Sequence, residues 1–400
     1  MIKKDNYKIY ILSYLLLTVI LSCGQRKTES SATIKFDVDK QLNYCIRQAG
    51  RTLKIIPADT LIPRMIVGEE KQWKMVPAAD WTSGFWPGIL WYLYEYSQDE
   101  QWKASASKYT SYLTGLSSKP AFDHDLGFQI FCSFGNGYRL TGNTSYRDII
   151  HRTSDTLATL YNPRVGTILS WPFRVKELDG HNTIIDNMMN LEMLLWACKD
   201  SRKNELCEIA VKHAEVTMKN HFRADHSSYH VVVYDENGKK KKGVTYQGQA
   251  DDTMWARGQA WAIYGYTMMY RETGDARFLD FAQKVTDVYI DRLPDDLVPY
   301  WDFDAPEIPN ETRDASAAAI TASALLDLAD MVASEKGKIY YQKAEQMLIN
   351  LSTEKYQSRD KNTAFLMHSR GSRDHEKDIS ITYADYYYLE ALLKYKNSQS

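Results

Sequence analysis

The sequence predicts an all-α fold, an (α/α)6 toroid of six helical hairpins carrying a small β-hairpin on its pocket rim. Three observations predict it. Apolar residues past position 37 recur at helical spacing, one turn motif joins successive helices, and most of the long connections fall on one side of the hairpins. A chain of 400 residues with 44% hydrophobic and 25% charged side chains has enough material for a large core. With 49 basic against 51 acidic residues the net charge is -2, so no whole-protein field recruits nucleic acid, and an anionic ligand needs a local cationic site. The 28 Tyr and 10 Trp suit both ordinary cores and wet sugar pockets, because each buries a large apolar body and keeps a polar tip.

Lys3, Lys4 and Lys8 precede an apolar run from Ile9 to Leu21 that ends at Ser22-Cys23-Gly24. A charged start, a short apolar stretch and small residues predict an export signal over 1–22. Ile20-Leu21-Ser22-Cys23 resembles the bacterial lipobox, which makes Cys23 the candidate lipidation site and 23–36 an anchor and tether. The run is too short to span a bilayer comfortably. The expected place is therefore the cell envelope, periplasm-facing, with membrane contact through the lipid alone. Residues 37–400 form the single expected catalytic domain. Cys45, Cys132, Cys198 and Cys207 show no CxxC spacing, and no pair reads as a metal site or a required disulfide.

The helices reveal themselves by periodicity. Phe278, Phe281, Ala282, Val285, Val288 and Tyr289 share one helical face. Tyr138 to Tyr146 and Tyr270 to Phe278 are two copies of one joint, in which Gly142 or Gly274 ends a helix and Asn143 or Asp275 caps the next. Weaker copies are expected around Asp99, Asp200 and Gly337. Helices ahead of a joint should begin near 81, 125, 183, 253, 312 and 378, and those after it near 101, 144, 202, 275 and 337, with 37–54 completing the second set. The first set would line the inside. An open α-solenoid is the alternative arrangement. His230 to Tyr234 and Lys239 to Gln247 read as the β-hairpin, with Lys239 to Lys242 a solvated turn.

The same register selects candidate site residues. Eighteen positions before the joint residues 99, 143 and 275 stand Trp81, Asp125 and Arg257, and Asp186 stands fourteen before Asp200. All should meet at one mouth, where a Trp, two carboxylates and an Arg make a plausible sugar-acid pocket. Each also has a plainer reading. Asp125 and Asp186 would serve equally as N-caps, Trp81 as packing, and Arg257 as the partner of Asp251 or Asp252.

Seven motifs in register, from Trp81-Thr-Ser-Gly-Phe-Trp-Pro-Gly-Ile-Leu-Trp91 through His124-Asp-Leu-Gly-Phe128, Ile185-Asp-Asn-Met-Met-Asn-Leu191, Gln247-Gly-Gln-Ala-Asp-Asp252, Trp255-Ala-Arg-Gly-Gln-Ala-Trp261 and Pro299-Tyr-Trp-Asp-Phe-Asp304 to Arg313-Asp-Ala-Ser-Ala-Ala-Ala319, resemble the unsaturated glucuronyl hydrolases of glycoside hydrolase family 88. The resemblance runs from about 37 to 395 and implies an (α/α)6 enzyme acting on unsaturated oligosaccharides. It implies Asp125 and Asp186 as the catalytic pair, with Asp186 as acid and base for hydration of a C4=C5 bond and Asp125 ionised beside it. Gln247, Trp255, Arg257 and Trp261 would surround the unsaturated sugar, Arg257 holding its carboxylate and Trp255 or Trp261 stacking on it. Where many relatives read Thr-His-Gln-Gly, this chain has Thr245-Tyr246-Gln247-Gly248, so that histidine's contact does not carry over. Ser369-Arg370-Gly-Ser372-Arg373 could cradle a sulfate through the hydroxyls of Ser369 and Ser372 and an Arg fork. No P-loop, dinucleotide fingerprint or HExxH motif is present, and neither a cofactor nor a metal is expected. The rival readings are an unsaturated rhamnogalacturonyl hydrolase and a non-catalytic glycan-binding lipoprotein.

Overall fold

The hairpins are made by one local device. Gly142 and Gly274 end their helices in left-handed backbone, at φ 67° and 70°, a conformation that costs glycine nothing. Asn143 and Asp275 then cap the next helix, accepting the N–H of Ser145 at 3.0 Å and of Arg277 at 2.9 Å. Gln98 and Asp99 repeat the device, with Gln98 left-handed and Asp99 accepting from Gln101 N–H at 2.9 Å. Two weaker copies shift. At the joint near Asp200, Arg202 is the left-handed residue, while Asp200 binds Arg147 at 2.7 Å and His151 at 2.6 Å instead of capping. Near Gly337 the cap is Ser334, which accepts from Lys336 N–H at 3.2 Å.

The structure, a computed structural model, describes residues 36–399. The signal, Cys23 and the tether up to 35 lie outside the described residues. Within them the chain alternates between outer and inner helices: outer α1 (Val38–Ile55), inner α2 (Phe85–Ser97), outer α3 (Glu100–Ser111), inner α4 (Asn136–Thr141) and outer α5 (Thr144–Ala158). A single-turn α6 (Val175–Leu178) lies in the next connection. Then come inner α7 (Leu191–Ser201), outer α8 (Asn204–Asn220), inner α9 (Ala256–Thr273), outer α10 (Ala276–Asp291), inner α11 (Ala315–Met331), outer α12 (Glu335–Leu351) and inner α13 (Thr382–Ser398). A π-helical stretch, Gly127–Gly135, leads into α4, and a 3-10 stretch, Ile185–Asn190, leads into α7. Around the ring α2 packs on α4, the π-helical stretch leading into α4 packs on α7, α7 on α9, α9 on α11 and α11 on α13, and α13 packs on α2 as well. That last contact closes the ring and excludes the open solenoid.

Burial separates the two sets. In α9 every residue from Ala256 to Met269 is buried, whereas α10 buries the single face of Phe278, Phe281, Ala282, Val285, Thr286 and Tyr289. No helix among the described residues is long and apolar enough to cross a membrane.

Eight short strands lie in the connections: β1 (Ile62–Val67), β2 (Lys74–Val76), β3 (Tyr161–Asn162), β4 (Thr167–Ile168), β5 (His181–Ile184), β6 (Val231–Tyr234), β7 (Lys240–Val244) and β8 (Ile379–Ile381). The sheets run β2-β1-β8, β3-β4 and β5-β6-β7. The expected hairpin is β6/β7, Val231 facing Val244, and it gains β5 as a third antiparallel strand. The lysine run is part of strand β7 and not a free turn: Lys240 donates to the Asn220 carbonyl at 2.6 Å and Lys241 pairs with Asp179 at 2.5 Å.

A disulfide joins Cys198 to Cys207, with Cα atoms 5.6 Å apart, tying the end of α7 to the start of α8. This corrects the sequence reading, in which no pair stood out. The bond follows from the tightness of the joint, which no Cys spacing encodes. Closing a nine-residue separation removes on the order of 2.5 kcal/mol of unfolded-chain entropy. Cys45 and Cys132 are free.

Candidate active site

Two rim connections bring the carboxylates to one mouth. Strand β5, paired to β6, runs directly into Ile185 and Asp186, and Ile185 N–H donates to the His230 carbonyl at 2.9 Å. On the other side His124 N–H donates to the Ser170 carbonyl at 3.2 Å, and Asp125 N–H to the Asp123 carboxylate at 3.0 Å. Asn190 bridges the two segments, accepting from Phe128 N–H at 3.0 Å. Gly127 permits that approach, because a Cβ there would lie 2.5 Å from the Asn190 side-chain oxygen. No side-chain cap bond is made at the start of either helical segment, so neither aspartate is spent as an N-cap.

Each carboxylate faces a buried histidine whose proton position is set by its far nitrogen. His230 Nδ1 accepts the backbone N–H of Tyr246 at 3.0 Å and of Gln247 at 3.3 Å. Its proton must then sit on Nε2, 3.8 Å from Asp186 Oδ2. Both of those atoms are buried without a hydrogen-bond partner. His124 repeats the pattern: Asn190 Nδ2 donates to its Nδ1 at 3.2 Å, which leaves Nε2 facing Asp125 Oδ1 at 3.5 Å. Burial drives the His124 pKa down to about 3 and His230 well below the usual imidazole value. Both rings are neutral donors at neutral pH.

Burial also pushes Asp186 up to about 7, against the Arg257 charge and the Trp261 indole, which favour the carboxylate. Asp125 is pushed well above the ordinary carboxylate range by burial, and further by the charges of Asp123, Asp186 and Asp80. Burial likewise raises Asp123 to about 6. This direction runs against the expectation that Asp125 stays ionised, since it is buried, its neighbours are acidic and no cation offsets the desolvation.

The remaining sequence candidates are placed as follows. Arg257 is 1% exposed and pairs with Asp314 at 2.9 Å, not with Asp251 or Asp252; the rest of its fork binds the Arg370 carbonyl and the Gly371 carbonyl, the latter at 2.6 Å. It lies over the Trp255 ring at 4.6 Å, and His230 takes another side of that ring at 4.7 Å. Trp255 and Trp261 are buried, so neither offers an open face for stacking, but their indole N–H groups are without partners. Trp81 stacks on Tyr383 at 5.4 Å beside Phe85 and Phe128. Gln247 is half-buried against His230. Ser369 is buried with a free hydroxyl, while Ser372 closes a turn with His375. The Arg370 fork is filled by Glu311, Thr312 and two carbonyls, while the half-exposed Arg373 pairs with Asp374 and donates to the Gln249 carbonyl at 3.1 Å, so neither guanidinium of that loop stands unpaired for a sulfate.

His124, His230 and Asn190 were missed in the sequence. His124 adjoins Asp125 in its motif and could have been found there; His230 has no such signal. No group of three or more His, Cys, Asp or Glu among the described residues is arranged to hold a metal ion. A cavity of about 480 Å³ opens among Tyr92, Arg271, Glu390 and Lys394 of α2, α9 and α13 and Glu192 in the first turn of α7. Its charges pair with one another, Arg271 with Glu192 and Lys394 with Glu390, the latter at 3.1 Å. Asp125 and Asp186 do not line this cavity.

The model of Glycosyl Hydrolase Family 88 matches residues 58–394. An unsaturated glucuronyl hydrolase of Formosa agariphila is 39% identical over 397 residues, covering 97% of this chain and 98% of that one. The crystal structure of an unsaturated glucuronyl hydrolase specific for heparin superposes with a TM-score of 0.85 at 40% identity, covering 90% of this chain and 97% of that one. A variant of the Streptococcus agalactiae unsaturated glucuronyl hydrolase complexed with dGlcA-GalNAc6S superposes with a TM-score of 0.76 at 27% identity, covering 90% and 92%.

The burial of Asp186 has a consequence for stability. Its carboxyl is raised from 3.8 to about 7 on folding, so the folded state holds a proton that the unfolded chain has released. The contribution is complete below pH 4 and declines as pH rises to about 7. Asp186→Asn should flatten the fall in urea-unfolding free energy across that window, and an unchanged slope would show that Asp186 is ionised throughout.

Proposed function

The chain belongs to glycosyl hydrolase family 88, and on that footing we propose that it removes a terminal 4,5-unsaturated uronic acid from lyase-made oligosaccharides of glycosaminoglycans. It is a glycosidase of the unsaturated glucuronyl hydrolase type, and its relatives' names favour this over the rhamnogalacturonyl reading.

The observation that carries the mechanism is the unpartnered, buried Oδ2 of Asp186, on a carboxyl that is about half protonated near pH 7. A proton donor that must later act as base works best with its pKa near the operating pH. Asp186 gives its proton to C4 of the C4=C5 bond while a water oxygen adds to C5, and the resulting carboxylate takes the water's proton. The C5 hemiketal opens at its bond to the ring oxygen. The hemiacetal then left at C1 expels the next sugar, so one water is consumed overall. His230 Nε2–H orients the Asp186 carboxyl and the incoming group. Asp125, its carboxyl pushed toward the protonated form by burial, exchanges hydrogen bonds with substrate hydroxyls. Arg257 supplies positive field for the uronate through the Trp255 face rather than a free fork.

The leader and Cys23 point to export and lipid anchoring in the cell envelope. A disulfide between Cys198 and Cys207 supports an oxidising compartment.

Two experiments test these readings. Asp186→Asn should lower turnover of an unsaturated disaccharide, followed by loss of ultraviolet absorbance, by at least roughly 10² to 10⁴, the usual worth of a positioned acid or base. KM should stay within a few-fold, and near-normal turnover would remove Asp186 from the reaction. Expressed in a bacterial host, the wild type should partition into detergent and Cys23→Ala should not; equal solubility of the two would exclude the anchor.

A further inference from the structure

Five large apolar side chains are exposed among the described residues, and only Phe122 and Phe173 of these are aromatic. They stack on each other, ring centroids 5.0 Å and planes 17° apart. Even so paired they remain 70% and 53% exposed, respectively. The contact hides only one face of each ring, so packing alone does not account for two phenyl groups in solvent.

Their position is specific. Phe122 precedes Asp125 by three residues, and Phe173 follows Trp171 by two. The loops that carry them are joined by the bond from His124 N–H to the Ser170 carbonyl at 3.2 Å. Ser170 is itself fixed to the catalytic segment, its hydroxyl accepting from Ile184 N–H at 2.9 Å. From the phenyl pair a strip of rings bridged by Arg174 leads inward. The Arg174 guanidinium lies 5.8 Å from the Phe173 ring, 5.4 Å from Trp171 and 4.4 Å from Tyr246. Trp171 meets His230 at 5.8 Å, and His230 faces Asp186. Glu177 lines the polar edge, accepting from Arg174 at 2.8 Å and from Tyr246 at 2.5 Å.

We propose that the Phe122–Phe173 pair is a distal sugar subsite, which holds a pyranose ring of the substrate beyond the residue released at the cut. Sugar rings present C–H faces that pack on aromatic faces and hydroxyl edges that bond to polar neighbours. The strip offers both, its polar edge between Asp186 and the phenyl pair at its outer end. The proposal rests on the glycosidase reading above and adds a length preference to it.

The test uses the wild-type enzyme with an unsaturated disaccharide and an unsaturated hexasaccharide made by a lyase from one polymer. Wild type should show a kcat/KM on the hexasaccharide higher by roughly 3- to 10-fold, the scale of an aromatic stacking contact. Phe122→Ala with Phe173→Ala should bring the hexasaccharide down to the disaccharide value and leave the disaccharide unchanged, which also shows that the variant is folded. Phe122→Tyr with Phe173→Tyr should keep the preference. A loss shared equally by both lengths, or no loss on the hexasaccharide, overturns the subsite. So does a change in sedimentation with both rates intact, which would assign the pair to a contact between copies of the chain. If wild type consumes the double bond of neither length, the glycosidase reading itself falls, and the subsite with it.

Discussion

Asp125 and Asp186 are kept out of water where neighbouring inner helices begin, and much of the mouth is arranged around that burial. A helix N-terminus favours the ionised carboxylate by at most roughly 2 kcal/mol. Raising Asp186 from 3.8 to about 7 corresponds to about 4 kcal/mol in the other direction. Desolvation wins, helped by the fact that α7 proper starts only at Leu191, leaving Asp186 in the preceding 3-10 stretch. The neutral histidines fit the same requirement. A charged imidazole beside either carboxyl would pull its pKa back down, whereas a neutral Nε2–H aims a donor without adding a charge.

Closure of the ring makes this burial possible. Inner helices such as α9 and α11 are buried almost throughout, so the N-terminal mouth is walled by protein on every side instead of opening along a groove. The rim strands then carry functional groups to the mouth. β5 feeds Asp186, β6 begins just after His230, and the segment after β7 brings the Tyr246 and Gln247 N–H groups that fix the His230 tautomer. Tyr246 keeps that backbone role whatever its side chain is, which explains how the chain tolerates its departure from Thr-His-Gln-Gly.

Much of this was legible in the sequence because hairpin joints and helical periodicity are local. Gly142-Asn143 and Gly274-Asp275 gave the repeat, and counting back from them reached Asp125 and Arg257. The joints near Asp200 and Gly337 were misplaced, since a left-handed Arg202 and a Ser334 cap leave weaker signals than a glycine followed by an acid. The partners of the site were less legible. Arg257 pairs with Asp314 on another hairpin, and His230 meets Asp186 only through the β5/β6 pairing. The Cys198–Cys207 bond depends on the tightness of one turn, and the upward push on Asp125 comes first from burial and then from Asp123, Asp186 and Asp80, of which only Asp123 is near in sequence.

The central claim is that Asp186 protonates carbon and that bond cleavage follows from hydration, without attack at the anomeric centre. A displacing glycosidase would act at C1, and the separation of its carboxylates would dictate retention or inversion. Hydration places no nucleophile there. The most direct measurement is turnover of an unsaturated disaccharide in heavy water, with the uronic product analysed by NMR. The account predicts deuterium at C4 in every product molecule, and cleavage without deuterium at C4 would contradict it.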